Sequence, residues 1–174
     1  MPSPTPYLLH VTSHPTQVSP QTWKQWYKSE HLPDLVHSST AVRAALYEEI
    51  DLTGAPSPET KQNFLAVYQT EFEKCLETPN YEGVRTTSTL FKEDGAKSDS
   101  IWENGDINAR YYERIQTYDP RNLGEVPAPE MITAEAQPED PDDYDDWFRS
   151  EHIAQLASYP GYRLYLYLIL SYAI

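Results

Sequence analysis

Residues 19–35 and 140–156 are two versions of one segment: SPQTWKQWYKSEHLPDL aligns without a gap on DPDDYDDWFRSEHIAQL. Pro20, Trp26, Ser29, Glu30, His31 and Leu35 recur as Pro141, Trp147, Ser150, Glu151, His152 and Leu156. Trp23/Tyr144, Tyr27/Phe148, Lys28/Arg149 and Leu32/Ile153 are conservative exchanges. Six identities in seventeen positions, Trp and His among them, indicate a duplicated unit rather than a chance motif. Whatever this segment builds once, the chain has the means to build twice.

Both copies open with helix-start chemistry. Ser19 and Asp140 are good N-caps, and Pro20 and Pro141 occupy the first helical position, where a missing N–H costs nothing. Asp143 falls where a capping box places an acid, and the acids of DDYDD suit the positive end of a helix dipole. The flanks read as strands: YLLHV (7–11) and VRAALYEEI (42–50) around the first copy, EMITAEA (130–136) and YRLYLYLIL (162–170) around the second. After the first copy come a strand NFLAVYQT (63–70), a short helix around FEKCLE (72–77) and a strand NARYYERIQTY (108–118). GAPSPETKQ, KEDGAKSDS and DPRNLGEVPAP read as loops.

The order β-α-β-β-α-β is the split βαβ arrangement of ferredoxin-like folds, an α+β class. It assigns residues 1–120 to a first unit. Residues 121–174 form a partial second unit, βαβ, expected to pack against the first in one compact domain. The stretch YRLYLYLILSYAI is apolar on both faces and should be covered. If nothing in the chain covers it, a second copy of the chain is expected to, as a homodimer.

Composition narrows the partners. The 174 residues are enough for a sizeable core, and the hydrophobic and aromatic contents of 39% and 13% are those of a globular chain. A net charge of −14 repels a phosphate backbone and an anionic membrane surface, which argues against nucleic-acid and membrane partners. The single Cys75 excludes an internal disulfide and fits a reducing, cytoplasmic compartment. MPSPTPYLLH has no secretory pattern, and the longest apolar run, LYLYLIL, is too short to span a bilayer.

The tandem of W-[YF]-x-x-E-H helices, each followed by a [VY]-R strand, with a Y-Y-x-x-I-Q-x-Y strand closing the first unit, resembles the dimeric α+β barrel superfamily. More narrowly it is similar to the EthD-like proteins in their fungal two-repeat form; here the second repeat is incomplete. The resemblance implies two sheets packed face to face and a small apolar molecule bound beside the sheet. It also implies a cofactor-free cyclase, dehydratase or decarboxylase of polyketide-type compounds in secondary metabolism, while other relatives are haem-binding or monooxygenase proteins.

Positions four apart share a helix face, so Tyr27, His31 and Leu35 line up with Trp23 one turn earlier; Phe148, His152 and Leu156 do the same, and Glu30 is expected beside Trp26. Two roles are open to each histidine. It is either a core residue bonded to a neighbour, or a general acid/base facing a cavity, since imidazole exchanges a proton near neutral pH. Asp34 would favour its charged form and burial its neutral form. The catalytic candidates are therefore His31, Tyr27, Asp34 and His152. Trp23, Tyr47, Tyr68, Tyr111, Tyr112 and Arg43 are the candidates for holding a small-molecule substrate, the phenols by hydrogen bonds to a developing oxyanion. No metal or organic cofactor is called for. His10 and His14 lie about 13 Å apart on a strand, no Cys/His cluster exists, and GxGxxG, P-loop and GxSxG motifs are lacking. A non-catalytic binding or assembly protein is the alternative.

Overall fold

A computed structural model describes residues 5–50, 64–124, 127–160, 162 and 165–173. The expected loop 54–62 lies outside the described residues. The chain forms two compact units, residues 1–113 with 169–174, and residues 114–168.

The first unit is built on a four-stranded antiparallel sheet. Strands β1 (Tyr7–Pro15), β2 (Arg43–Glu48), β3 (Phe64–Thr70) and β4 (Gly105–Tyr118) lie in the order β2-β3-β1-β4. That order is compatible with a ferredoxin-like α+β fold. The end of β5 (Tyr165–Ala173) lies beyond β4. Strand β3 shows how sequence makes the sheet: FLAVYQT alternates buried and half-buried along its whole length, the signature of a strand with one face in a core.

The registers align side chains in rows across the strands. Ala44, Tyr68, Leu9 and Tyr111 form one row; Leu46, Ala66, Val11 and Ala109 the next; Glu48, Phe64, Ser13 and Ile107 the third. This face carries the hydrophobic core with Trp23, Trp26, Tyr27 and Leu35. The alternate positions, Arg43, Gln69, Leu8 and Tyr112 in one row and Ala45, Val67, His10 and Arg110 in the next, point to the opposite face.

The duplicated segment is helical in both copies, with the same break in the same place. Helix α1 (Pro20–Trp26) runs into a π-helical turn, Tyr27–His31, and then α2 (Leu32–His37). In the second unit, α6 (Pro141–Trp147) runs into the π turn Phe148–His152 and then α7 (Ile153–Ala157). Each copy is capped as its sequence requires: the Thr22 N–H donates to Ser19 Oγ, and the Asp143 N–H to Asp140 Oδ1, both at 3.2 Å.

The π turns are marked by i→i−5 bonds, from the Leu32 N–H to the Tyr27 carbonyl and from the Ile153 N–H to the Phe148 carbonyl. Pro33 is not their cause, because its counterpart is Ala154 and the turn is the same. The shared serines have the right position and chemistry. Ser29 Oγ donates to the Gln25 carbonyl at 2.8 Å, and Ser150 Oγ to the Asp146 carbonyl at 2.6 Å. Such back-bonding takes up the i−4 carbonyl and distorts a helix.

Between β3 and β4 the expected single helix is a series of short pieces. They are a 3₁₀ turn Cys75–Glu77, α3 (Pro79–Glu82), α4 (Thr89–Glu93) and α5 (Ile101–Asn104). Pro79 and Gly83 interrupt helix propagation after 77 and 82, and α4 takes in the Lys92 and Glu93 expected to be loop. The expected strand at 130–136 does not form: the segment is exposed throughout, Ile132 at 95%. Two flanking acids and a following Pro138 give it little to bury and little to pair with. Tyr162, the expected start of the last strand, is not in a strand, and β5 is described over Tyr165–Ala173; residues 163 and 164 lie outside the described residues.

Gly105 opens β4 where no side chain fits. A Cβ there would lie 2.6 Å and 2.8 Å from Trp23 Cη2 and Cζ2 and 3.0 Å from the His14 carbonyl oxygen. The indole is fully buried and cannot swing aside. Gly105→Ala is expected to destabilise the fold by at least about 1 kcal/mol through overpacking, read as a lower urea midpoint with unchanged m-value.

Candidate functional site

The π turn sets the surroundings of His31. An α-helix would place it over Tyr27, four residues back; the extra residue per turn places it over Trp26, five back. The imidazole stacks on the Trp26 indole at 4.6 Å and 25°, with the Tyr27 ring edge-on at 5.6 Å. His152 repeats this on Trp147, at 4.5 Å and 24°. The helix-wheel expectation is corrected accordingly: it is the histidine, not Glu30, that lies with Trp26. Glu30 instead accepts a hydrogen bond from Ser88 Oγ at 3.0 Å.

His31 is buried between helix and sheet, 9% exposed, and faces the Tyr68 ring of β3 edge-on at 6.3 Å. Two phenols of the same core cluster are satisfied. Tyr27 Oη is bonded to Ser13 Oγ at 3.1 Å, the same hydroxyl that accepts the Trp23 indole N–H at 3.1 Å. Tyr111 Oη accepts the Leu76 N–H at 3.3 Å. Two groups are not satisfied: His31 Nδ1 and Tyr68 Oη are buried without a hydrogen-bond partner among the described residues. Native interiors rarely leave such groups unpaired, and each unpaired group carries a cost of about 1–3 kcal/mol unless something fills the place.

Burial fixes the protonation states. His31 is pushed down to about 4 by desolvation, with Asp34 opposing. The imidazole is therefore neutral at pH 7, with one nitrogen free to accept a proton. Desolvation pushes the Tyr68 phenol well up, so it stays protonated and can donate. Burial also raises Tyr27 to about 12 and Cys75 to about 11, which makes Cys75 an inert, buried thiol.

Asp34 is engaged elsewhere. Arg85 grips it with both arms of its guanidinium, Nε to Oδ2 at 2.7 Å and Nη2 to Oδ1 at 3.1 Å. Arg85 also reaches Glu30 at 4.0 Å. The pairing holds the Asp34 carboxyl below its usual range.

The expected site residues thus divide between two faces of the sheet. Trp23, Tyr27, His31, Tyr68 and Tyr111 converge on the helix-covered face. Tyr47, Tyr112 and Arg43 stand on positions of the opposite face. There Tyr112 meets His10 edge-on at 5.8 Å, and Arg43 Nη1 donates to Gln69 Oε1 at 3.4 Å. Trp23 is enclosed rather than presented: it stacks on Phe91 at 5.6 Å and lies against Trp26 and Tyr27. His152 is half-buried in the second unit, over Trp147, which is 41% exposed.

Sequence reasoning did not find Arg85, whose context GVRTTS carries no pattern, nor the half-buried Tyr81 packed against the same core. Haem ligation by His31 does not fit, because an imidazole closed in by Trp26, Tyr27 and Tyr68 leaves too little open surface for a macrocycle. Among the described residues no group of three His, Cys, Asp or Glu is placed to hold a metal ion, and no helix is long and apolar enough to cross a membrane. No family model, curated protein or solved structure matches this chain.

Proposed function

We propose that the chain is a cofactor-independent enzyme of the cyclase, dehydratase or decarboxylase type, a dimeric α+β barrel protein built on a repeated helix. It acts on a small polyketide-like or aromatic molecule. The observation that carries this reading is the pair of orphaned groups, His31 Nδ1 and Tyr68 Oη, buried on one face of one sheet. A neutral imidazole is the form that accepts a proton, and a phenol that stays protonated is the form that donates to a carbonyl or enolate oxygen. A ligand with an acidic C–H or O–H beside a carbonyl would satisfy both groups at once. The tandem helices and the strand order support the family assignment, and the apolar segment 164–170 supports a homodimer.

A non-catalytic binding or assembly protein is the second reading, and a specific observation favours it. The histidine-on-indole stack is the same in the half-buried second copy, so the ring packs this way without the deep setting of His31.

Mass spectrometry of the small molecules that travel with the purified full chain supplies the probe. With that compound, His31→Ala and His31→Gln are expected to lose turnover. Tyr68→Phe is expected to bind about tenfold more weakly, the worth of one hydrogen bond. Full turnover in both His31 variants overturns the catalytic reading. Retention of the compound with no turnover in wild type supports the second.

A further inference from the structure

Asp34 follows His31 by three residues, on the same side of a helical turn. Left to itself, a carboxylate there draws a proton onto the imidazole. In this structure both its oxygens are taken by Arg85, at 2.7 Å and 3.1 Å, in the fork-to-fork geometry that arginine alone provides. We propose that Arg85 is a positioning residue: by occupying both oxygens of Asp34 and offsetting part of its charge it weakens the pull of that carboxylate on His31, and so helps burial keep the imidazole in its uncharged, proton-accepting form.

The groups that face His31 make Asp34 the carboxylate to be controlled. Its own π turn supplies Tyr27 and Glu30, α2 supplies Asp34 and His37, and β3 supplies Tyr68; Arg85 arrives from the segment after α3. Tyr27 and Tyr68 are phenols held protonated by burial. Glu30 is turned to Ser88 and to Arg85 itself. Asp34 is the charged group that bears on His31 in favour of protonation, while Asp34 in turn responds first to Arg85. Asn80 Nδ2 to the Ser39 carbonyl, at 3.2 Å, fastens the same segment to the end of α2 independently of Arg85.

The assignment rests on the proposed use of neutral His31, but its test needs no turnover. The His31 ring signals of the full chain are followed by NMR from pH 7 to pH 5.5, above the isoelectric region near 4.6, and are assigned by their loss in His31→Gln. In Arg85→Gln the charged fraction of His31 at pH 5.5 is expected to rise about eightfold, the change that a shift of about one pH unit produces. Arg85→Lys keeps the charge without the fork and should fall between the two. In the double variant Arg85→Gln/Asp34→Asn the rise should vanish. A charged fraction of His31 at pH 5.5 that is unmoved by Arg85→Gln overturns the proposal. So does a rise that persists in the double variant, since water entering a loosened segment would produce it without Asp34. A catalytic failure of His31 variants to matter would leave these titrations unchanged.

Discussion

Trp23→Ala is expected to cost about 3–5 kcal/mol of folding stability, against a total of about 5–15 kcal/mol for a domain of this kind. The indole has no exposed surface. It contacts the rings of Phe91, Trp26 and Tyr27 at centroid distances of 5.6, 4.9 and 5.9 Å, and its N–H reaches Ser13 at 3.1 Å. Its far edge fills the space left by Gly105. Truncation therefore opens a cavity bounded by a helix, a strand start and α4, none of which can collapse into it without breaking its own bonds. Trp23→Phe keeps most of the packing and loses the hydrogen bond, so it should cost about 1–2 kcal/mol. Urea unfolding followed by far-ultraviolet circular dichroism measures both. An alanine variant within 1 kcal/mol of wild type would mean that the aromatic cluster is not the keystone of the first unit.

The capping residues and the strand positions of the first unit were legible because both rest on local chemistry. Ser19 and Asp140 cap as expected, and β3 alternates as written. The π turns were not legible. Wheel arithmetic assumes one residue every 100°, and nothing in SEH or WYK departs from α-helical composition. The trace is the shared serine, whose hydroxyl bonds the i−4 carbonyl in both copies. It becomes informative once the two copies are compared. The division of Tyr68 and Tyr111 from Tyr47 and Tyr112 was beyond the sequence for a different reason. Period-two alternation says which residues share a face within a strand, but the register between strands decides which faces coincide. Arg85 was missed because its partner lies fifty-one positions away. The strand expected at 130–136 failed because apolar content was counted without asking what would pair with it.

Acidification should expose the buried state of His31 directly. In the unfolded chain a histidine titrates near 6.5; in the fold His31 is pushed down to about 4 by burial. Between these values the unfolded chain binds a proton that the folded chain refuses. Its contribution to stability is thus fully present above pH 6.5 and is lost as pH falls toward 4. From pH 7 to pH 5 this amounts to about 2 kcal/mol. The chain's net charge of −14 acts in the opposite direction, since protonating surface acids relieves repulsion, so wild-type stability alone does not isolate the histidine. His31→Gln does: it carries the same surface acids and no titrating ring. The difference in unfolding free energy, wild type minus His31→Gln, is expected to fall by about 2 kcal/mol between pH 7 and pH 5. A difference that stays flat across this range would mean that the imidazole meets water or a partner in the fold, and with it would go the neutral, proton-accepting base.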